Sequence, residues 1–162
     1  LKALNIGPGD TVIAPAFTFP ATANVIEAVG AETALCDVDT TAYVVAPEAV
    51  AKCISSLKNK RLKAVTVVHE FGYPARIAEI ADICRQHQLL LIEDAACALG
   101  TVADGRHPGF YGDAACFSFH PRKAITTGEG GAVMTRRQDI AEKIISLRNH
   151  GIHYGKEGMD RR

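Results

Sequence analysis

The chain predicts an α/β fold of three layers, helices on both faces of a mostly parallel sheet, on three observations. Short apolar strands alternate with helical stretches of roughly a dozen residues, the pattern of repeated βαβ units. The strands are near-continuous apolar runs, as expected for a sheet covered on both faces. Residues that carry chemistry cluster just past strand ends, where open α/β sheets bind their ligands.

In chain order, residues 1–4 read as the tail of a helix, stopped by Gly7, Pro8 and Gly9. A chain that opens in mid-helix is expected to be a fragment. A strand over 11–14 ends at Pro15, and a loop with Phe17 and Phe19 leads to a helix over 21–29. A strand over 33–37 exits into Asp37 and Asp39, read as a solvated strand end. Pro47 is suited to the first position of a helix, with Glu48 favourable to its dipole. That helix places Val50, Cys53, Ile54 and Leu57 on one face.

A basic connector over 58–63 runs into a β-branched strand over 62–68, which delivers His69 and Glu70. Ile77, Ile80, Ala81 and Cys84 then share one helix face. The strand over 89–92 delivers Glu93 and Asp94. A turn-rich excursion over 100–112 follows, and a strand over 114–119 ends in a loop holding Lys123. Gly128, Gly130 and Gly131 turn the chain into a strand over 132–134. A last helix over 137–149 is expected to bury Ile140, Ala141, Ile144 and Leu147. From His150 onward the pattern dissolves into glycine and charge, with no completing element expected.

Composition narrows the function. The 162 residues suffice for one domain with a sizeable core, and 48% hydrophobic with 22% charged residues is ordinary for a globular protein. Formal net charge is zero, which offers nothing to nucleic acid or an acidic membrane surface. No apolar run approaches the roughly 20 residues needed to span a bilayer, and no signal peptide pattern opens the chain. The chain reads as cytoplasmic. Five cysteines without a C-x-x-C pair argue against both a disulfide framework and a zinc site. Cys53 and Cys84 read as small core residues. His150 and His153 are three apart but lack a third ligand, so no metal is expected. No dinucleotide fingerprint follows a strand, and Gly100 to Gly105 continues with Arg106 and His107, which excludes a P-loop.

The constellation with chemical content is Lys123 past one buried strand and Asp94 at the end of another. A lysine in a partly desolvated cleft loses some preference for its ammonium form and can act as a nucleophile or proton shuttle. Facing strand ends allow the amine and the acid to bracket one ligand.

Six motifs then carry a resemblance: Gly7-Pro-Gly-Asp10, Phe17-Thr-Phe19, Glu93-Asp-Ala-Ala96, Ser118-Phe-His-Pro-Arg-Lys123, Thr127-Gly-Glu-Gly-Gly-Ala132 and Leu147-Arg-Asn-His-Gly151. In order and spacing they resemble the DegT/DnrJ/EryC1/StrS sugar aminotransferases, fold-type-I enzymes dependent on pyridoxal 5'-phosphate. The likeness runs from about residue 3 to about residue 152. It implies that 1–152 are part of a cofactor-binding large domain and that 153–162 lead toward a small domain.

The implied activity is transfer of an amino group from an amino-acid donor, glutamate, to a nucleotide-linked keto-sugar by a homodimer. Lys123 would condense with the cofactor aldehyde and shuttle protons, and Asp94 would bond the pyridine nitrogen. Ser118 would donate to the phosphate, Phe19 would stack on the ring, and Cys97 would lie beside the ring oxygen. The alternatives are a related sugar dehydratase, in which histidine replaces the lysine, and a non-catalytic member serving as a binding module. Lys123 argues against the first, and Asp94 with Lys123 against the second.

Three positions depart from the pattern. Cys97 stands where Gln or His is common and is a weaker hydrogen-bond partner. Ala124 stands where a polar residue is frequent, and Tyr73 where Gln is usual. The chain is also less than half the family's length. By itself it is expected to bind cofactor weakly and to turn over nothing measurable.

Overall fold

The computed structural model describes residues 1–155 and 158–161, with side chains placed up to Ile152. Six strands form one sheet: β1 (Thr11–Pro15), β2 (Glu32–Cys36), β3 (Leu62–Val68), β4 (Leu90–Asp94), β5 (Ala114–Ser118) and β6 (Gly131–Met134). Their spatial order is β2-β1-β3-β4-β5-β6. The first five strands are parallel and β6 closes the sheet antiparallel, with Ser118 opposite Gly131 and Ala115 opposite Met134. The expected mostly parallel α/β sheet is therefore present.

Strand periodicity sorts the side chains into two cores. Ile13, Val65, Val67 and Leu91 face helices α2 (Pro47–Ser56) and α3 (Ile77–Gln86). Their neighbours Val12, Ala14, Ala64 and Ile92 face α1 (Ala21–Ala28) and α4 (Gln138–Arg148). Helical spacing supplies the opposing faces: Val50 and Ile54 from α2, and Ile77, Ile80, Ala81 and Cys84 from α3. Each buried Val or Ile among them contributes about 2 kcal/mol relative to exposure.

Three expectations change in detail. Residues 1–4 form a single 3-10 turn (Lys2–Leu4) that ends on Asn5 in the left-handed region. In α4 only Ile140 and Ser146 are fully buried, while Leu147 is 49% exposed. Apolar spacing names a helix face but does not guarantee that another element covers it. Leu147 and Ile144 instead line an open cleft of about 580 Å³ between α4 and α1. The segment past His150 also does not remain featureless: β7 (Ile152–Gly155) and β8 (Gly158–Arg161) pair antiparallel. That hairpin has only Ile152 and Tyr154 in alternation, too little to announce a strand. Its register ends on the facing glycines Gly155 and Gly158.

The connections explain where the site must lie. From β1 the chain moves out through α1 to the edge strand β2, then returns through α2 across β1 to β3. From β3 it progresses the other way to β4 and β5. The reversal falls between β1 and β3, and ligands bind outside the carboxyl ends of strands at such a switch. The loops after β1, β3, β4 and β5 all emerge at that edge.

Candidate active site

Glu93 and Asp94 are adjacent on β4, so the pleat sends them to opposite faces. Glu93 shares the α2/α3 face with His69, which follows Val65 and Val67 in period two. Both side chains are sealed from solvent, 0% and 1% exposed. The backbone N–H of Ala75 donates to His69 Nδ1 at 3.3 Å, so Nδ1 is unprotonated and the proton resides on Nε2. Nε2 then donates to Glu93 Oε2 at 3.0 Å, while Glu93 Oε1 accepts the N–H of Gly112. Glu93 is a buried girder between β3, β4 and the loop before β5.

Asp94 takes the other face and opens into the cleft. Its Oδ2 accepts the hydroxyl of Thr22 at 3.0 Å, and its Oδ1 accepts the N–H of Ala96 at 3.1 Å. Thr22 is in turn 3.0 Å from the hydroxyl of Thr18. A carboxylate anchored from α1 and from its own turn has a fixed orientation, and the remaining lone pairs can accept one more donor.

Lys123 is half-buried on the loop between β5 and β6. The tight turn is set by its own N–H donating to the carbonyl of His120 at 2.9 Å. Phe119 braces the loop: its N–H donates to Gly130, and its carbonyl accepts from Thr126 Oγ1. The Lys123 Nζ reaches Cys97 Sγ at 3.1 Å. Cys97 lies three residues past Asp94, so the lysine loop and the acid-bearing turn meet across this contact.

Ser118 ends β5, its Oγ accepting the N–H of His120 at 3.3 Å, which leaves the hydroxyl proton available for another acceptor. Phe19 stands at the rim, 69% exposed, and is not part of the core. Phe17, Tyr43 and Phe71 cluster nearby, with ring centroids 5.4 and 6.3 Å apart. Tyr73 is exposed beyond them. His150 is exposed in left-handed backbone past α4, and the side chain of His153 lies outside the described residues.

Glu70, read from the sequence only as a residue at a strand exit, stands out in the structure. Among the described residues, its Oε2 is the buried side-chain oxygen without a hydrogen-bond partner. Burial first, and then the charge of Asp94, push its carboxyl above the ordinary value against the opposing pull of Lys123.

Residues 1–161 match the DegT/DnrJ/EryC1/StrS aminotransferase family. The chain belongs to that family. It is 40% identical over 156 residues to a GDP-perosamine synthase of Vibrio cholerae, covering 96% of this chain and 41% of the relative. It is 41% identical over 152 residues to a UDP-N-acetyl-3-dehydro-alpha-D-glucosamine 3-aminotransferase of Acidithiobacillus ferrooxidans, covering 93% and 40%. Among solved structures, S. venezuelae DesV in complex with a ketimine intermediate superposes with a TM-score of 0.87 at 36% identity, covering 96% of this chain and 41% of that one. The chain thus spans about two fifths of the length of the curated relatives it matches. Its sheet is that of the fold-type-I aminotransferases.

Proposed function

We propose that this chain forms the cofactor-binding part of a pyridoxal-phosphate-dependent aminotransferase. The enzyme would carry an amino group from glutamate to the keto carbon of a nucleotide-linked sugar. The observation that carries this reading is the meeting of the Lys123 loop and the Asp94 turn, with Cys97 Sγ 3.1 Å from Lys123 Nζ.

The residues present fit the cofactor. An anchored carboxylate, a half-buried amine and a partnerless buried carboxyl oxygen all follow strands at the same carboxyl-end edge of the sheet. When bound, pyridoxal phosphate supplies an electron-withdrawing ring that accepts the electron pair left as a substrate carbon loses its proton.

Asp94 would hold the ring nitrogen in its protonated form, its negative charge favouring the cation. Thr22 and the Ala96 N–H keep that carboxylate from turning away. Lys123 would hold the cofactor covalently and, once displaced by the incoming amine, would take and return the proton on nitrogen Nζ. Ser118 would donate to the phosphate, and Phe19 would cover one ring face. Cys97 would lie beside the ring oxygen.

The nucleotide-sugar substrate is supported by the names of the two curated relatives. Assignment of 1–152 to the large domain and of 153–162 to a segment leading out of it belongs to the same proposal. So do a homodimeric state and a cytoplasmic location. No helix among the described residues is long and apolar enough to cross a membrane.

The test is direct. The complete gene product containing this chain is incubated with glutamate and keto-sugars linked to GDP, UDP or TDP, and the amino-sugar is followed by mass. Lys123→Ala should abolish transfer and remove covalent cofactor retained after borohydride reduction. Retention of either by the variant overturns the assignment.

A further inference from the structure

Glu70 follows β3, Asp94 ends β4 and Ser118 ends β5, and these strands are neighbours in that order. Glu70 and Ser118 therefore stand on opposite sides of Asp94. On the reading above, Asp94 faces the ring nitrogen, Lys123 the aldehyde carbon across the ring, and Ser118 the phosphate arm on one flank. The opposite flank of a pyridoxal ring carries a methyl group and the ring oxygen.

Glu70 lies on that side by strand order, and the Cys97 turn packs against its loop. The Cys97 thiol is a weak partner and already contacts Lys123. The Glu70 loop is locked against the Cys97 turn. A Cβ on Gly72 would lie 3.0 Å from the Cys97 carbonyl, and Thr101 Oγ1 donates to the Gly72 carbonyl at 2.7 Å. Phe71 adopts φ 53°, a left-handed conformation unfavourable for a bulky residue, so the loop is held in place by its surroundings.

We propose that Glu70 is a cofactor-contacting residue whose Oε2 shares a hydrogen bond with the ring oxygen of pyridoxal phosphate, on the flank away from Ser118. The inference rests on the pyridoxal assignment of the previous subsection. Three observations converge on it: a buried carboxyl oxygen with no protein partner, a place after β3 on the side of Asp94 away from Ser118, and a braced loop. Burial raises the affinity of the Glu70 carboxyl for its proton. Glutamine at position 70 keeps a donor there, whereas leucine removes it.

The experiment compares wild type, Glu70→Gln and Glu70→Leu in the complete gene product. It measures pyridoxal phosphate affinity by titration, the absorption spectrum of the bound cofactor, and melting without cofactor. Leucine should weaken binding about tenfold or more and change the ratio of absorption bands that report the protonation of the ring oxygen. It should leave the melting temperature of the cofactor-free protein unchanged or raised, because a desolvated carboxyl has been removed. Glutamine should hold affinity near wild type. Binding within twofold of wild type and an unchanged spectrum in the leucine variant overturn the inference. So does a loss of affinity that tracks a lowered melting temperature, since that marks a purely structural role. Wild-type protein that forms no bound-cofactor band overturns the pyridoxal assignment itself and the inference with it.

Discussion

The side-chain amine of Lys123 and the thiol of Cys97 lie 3.1 Å apart, joining a loop after β5 to a turn after β4. Cys97 is exposed, so a thiol reagent should reach it. Modification at Cys97 is expected to place bulk against Lys123 and block covalent capture of pyridoxal phosphate. Peptide mapping after labelling, with and without bound cofactor, checks this: the cofactor should protect Cys97.

Thr22 bridges α1 to Asp94, donating to Oδ2 at 3.0 Å. Thr22→Val keeps the shape and removes the donor. A hydrogen bond to a charged group is worth about 1.5–3 kcal/mol. The variant should therefore bind pyridoxal phosphate roughly ten-fold or more weakly while folding normally, as read by equilibrium dialysis and circular dichroism. Undiminished affinity would mean that Asp94 needs no help from α1.

The His69–Glu93 pair predicts a loss of stability. Glu93→Ala strands the His69 N–H and the Gly112 N–H in a dry environment, and each unsatisfied buried donor costs about 1–3 kcal/mol. Urea unfolding should show a lower midpoint. Glu93→Gln preserves an acceptor and should lose less.

Cys36 and Cys84 predict an alkaline weakness. Burial is the largest cause that pushes each thiol up to about 12 from the ordinary 9. The folded state then keeps a proton that the unfolded chain releases above about pH 9. Stability from these groups is intact below pH 9 and declines as pH rises toward 12. Denaturant midpoints from pH 8 to 11 should fall, and Cys36→Ala with Cys84→Ala should flatten the fall.

Gly131→Ala should also be costly. An added Cβ would sit 2.6 Å from the Phe117 carbonyl, so the β5–β6 ladder must part. Because that ladder carries the Lys123 loop, both melting temperature and cofactor capture should decline together.

Much of this molecule was legible in its residues because periodicity is a local property. Continuous apolar runs marked β1 to β5 to within a residue or two, and i, i+3, i+4 spacing marked the buried faces of α2 and α3. What local pattern could not convey was coverage. Leu147 has the right spacing in α4, yet it meets an open cleft. The β7–β8 hairpin carries too short an apolar alternation, Ile152 and Tyr154, to stand out from a turn-rich segment. Asp94 and Lys123 stood out by their place after buried strands. Glu70 did not, because a lone glutamate past a strand resembles any solvated exit. The signal that finds it is three-dimensional: a sealed oxygen with nothing to bond.

The alternation along β4 makes the assignment of its two acids a matter of counting. Inserting one residue between Leu91 and Glu93 would exchange their directions, turning a structural carboxylate toward the cleft and forcing the other against His69. No tuning of side-chain chemistry would repair such a shift. The length of this strand is therefore as strict a requirement as the identity of the aspartate it presents.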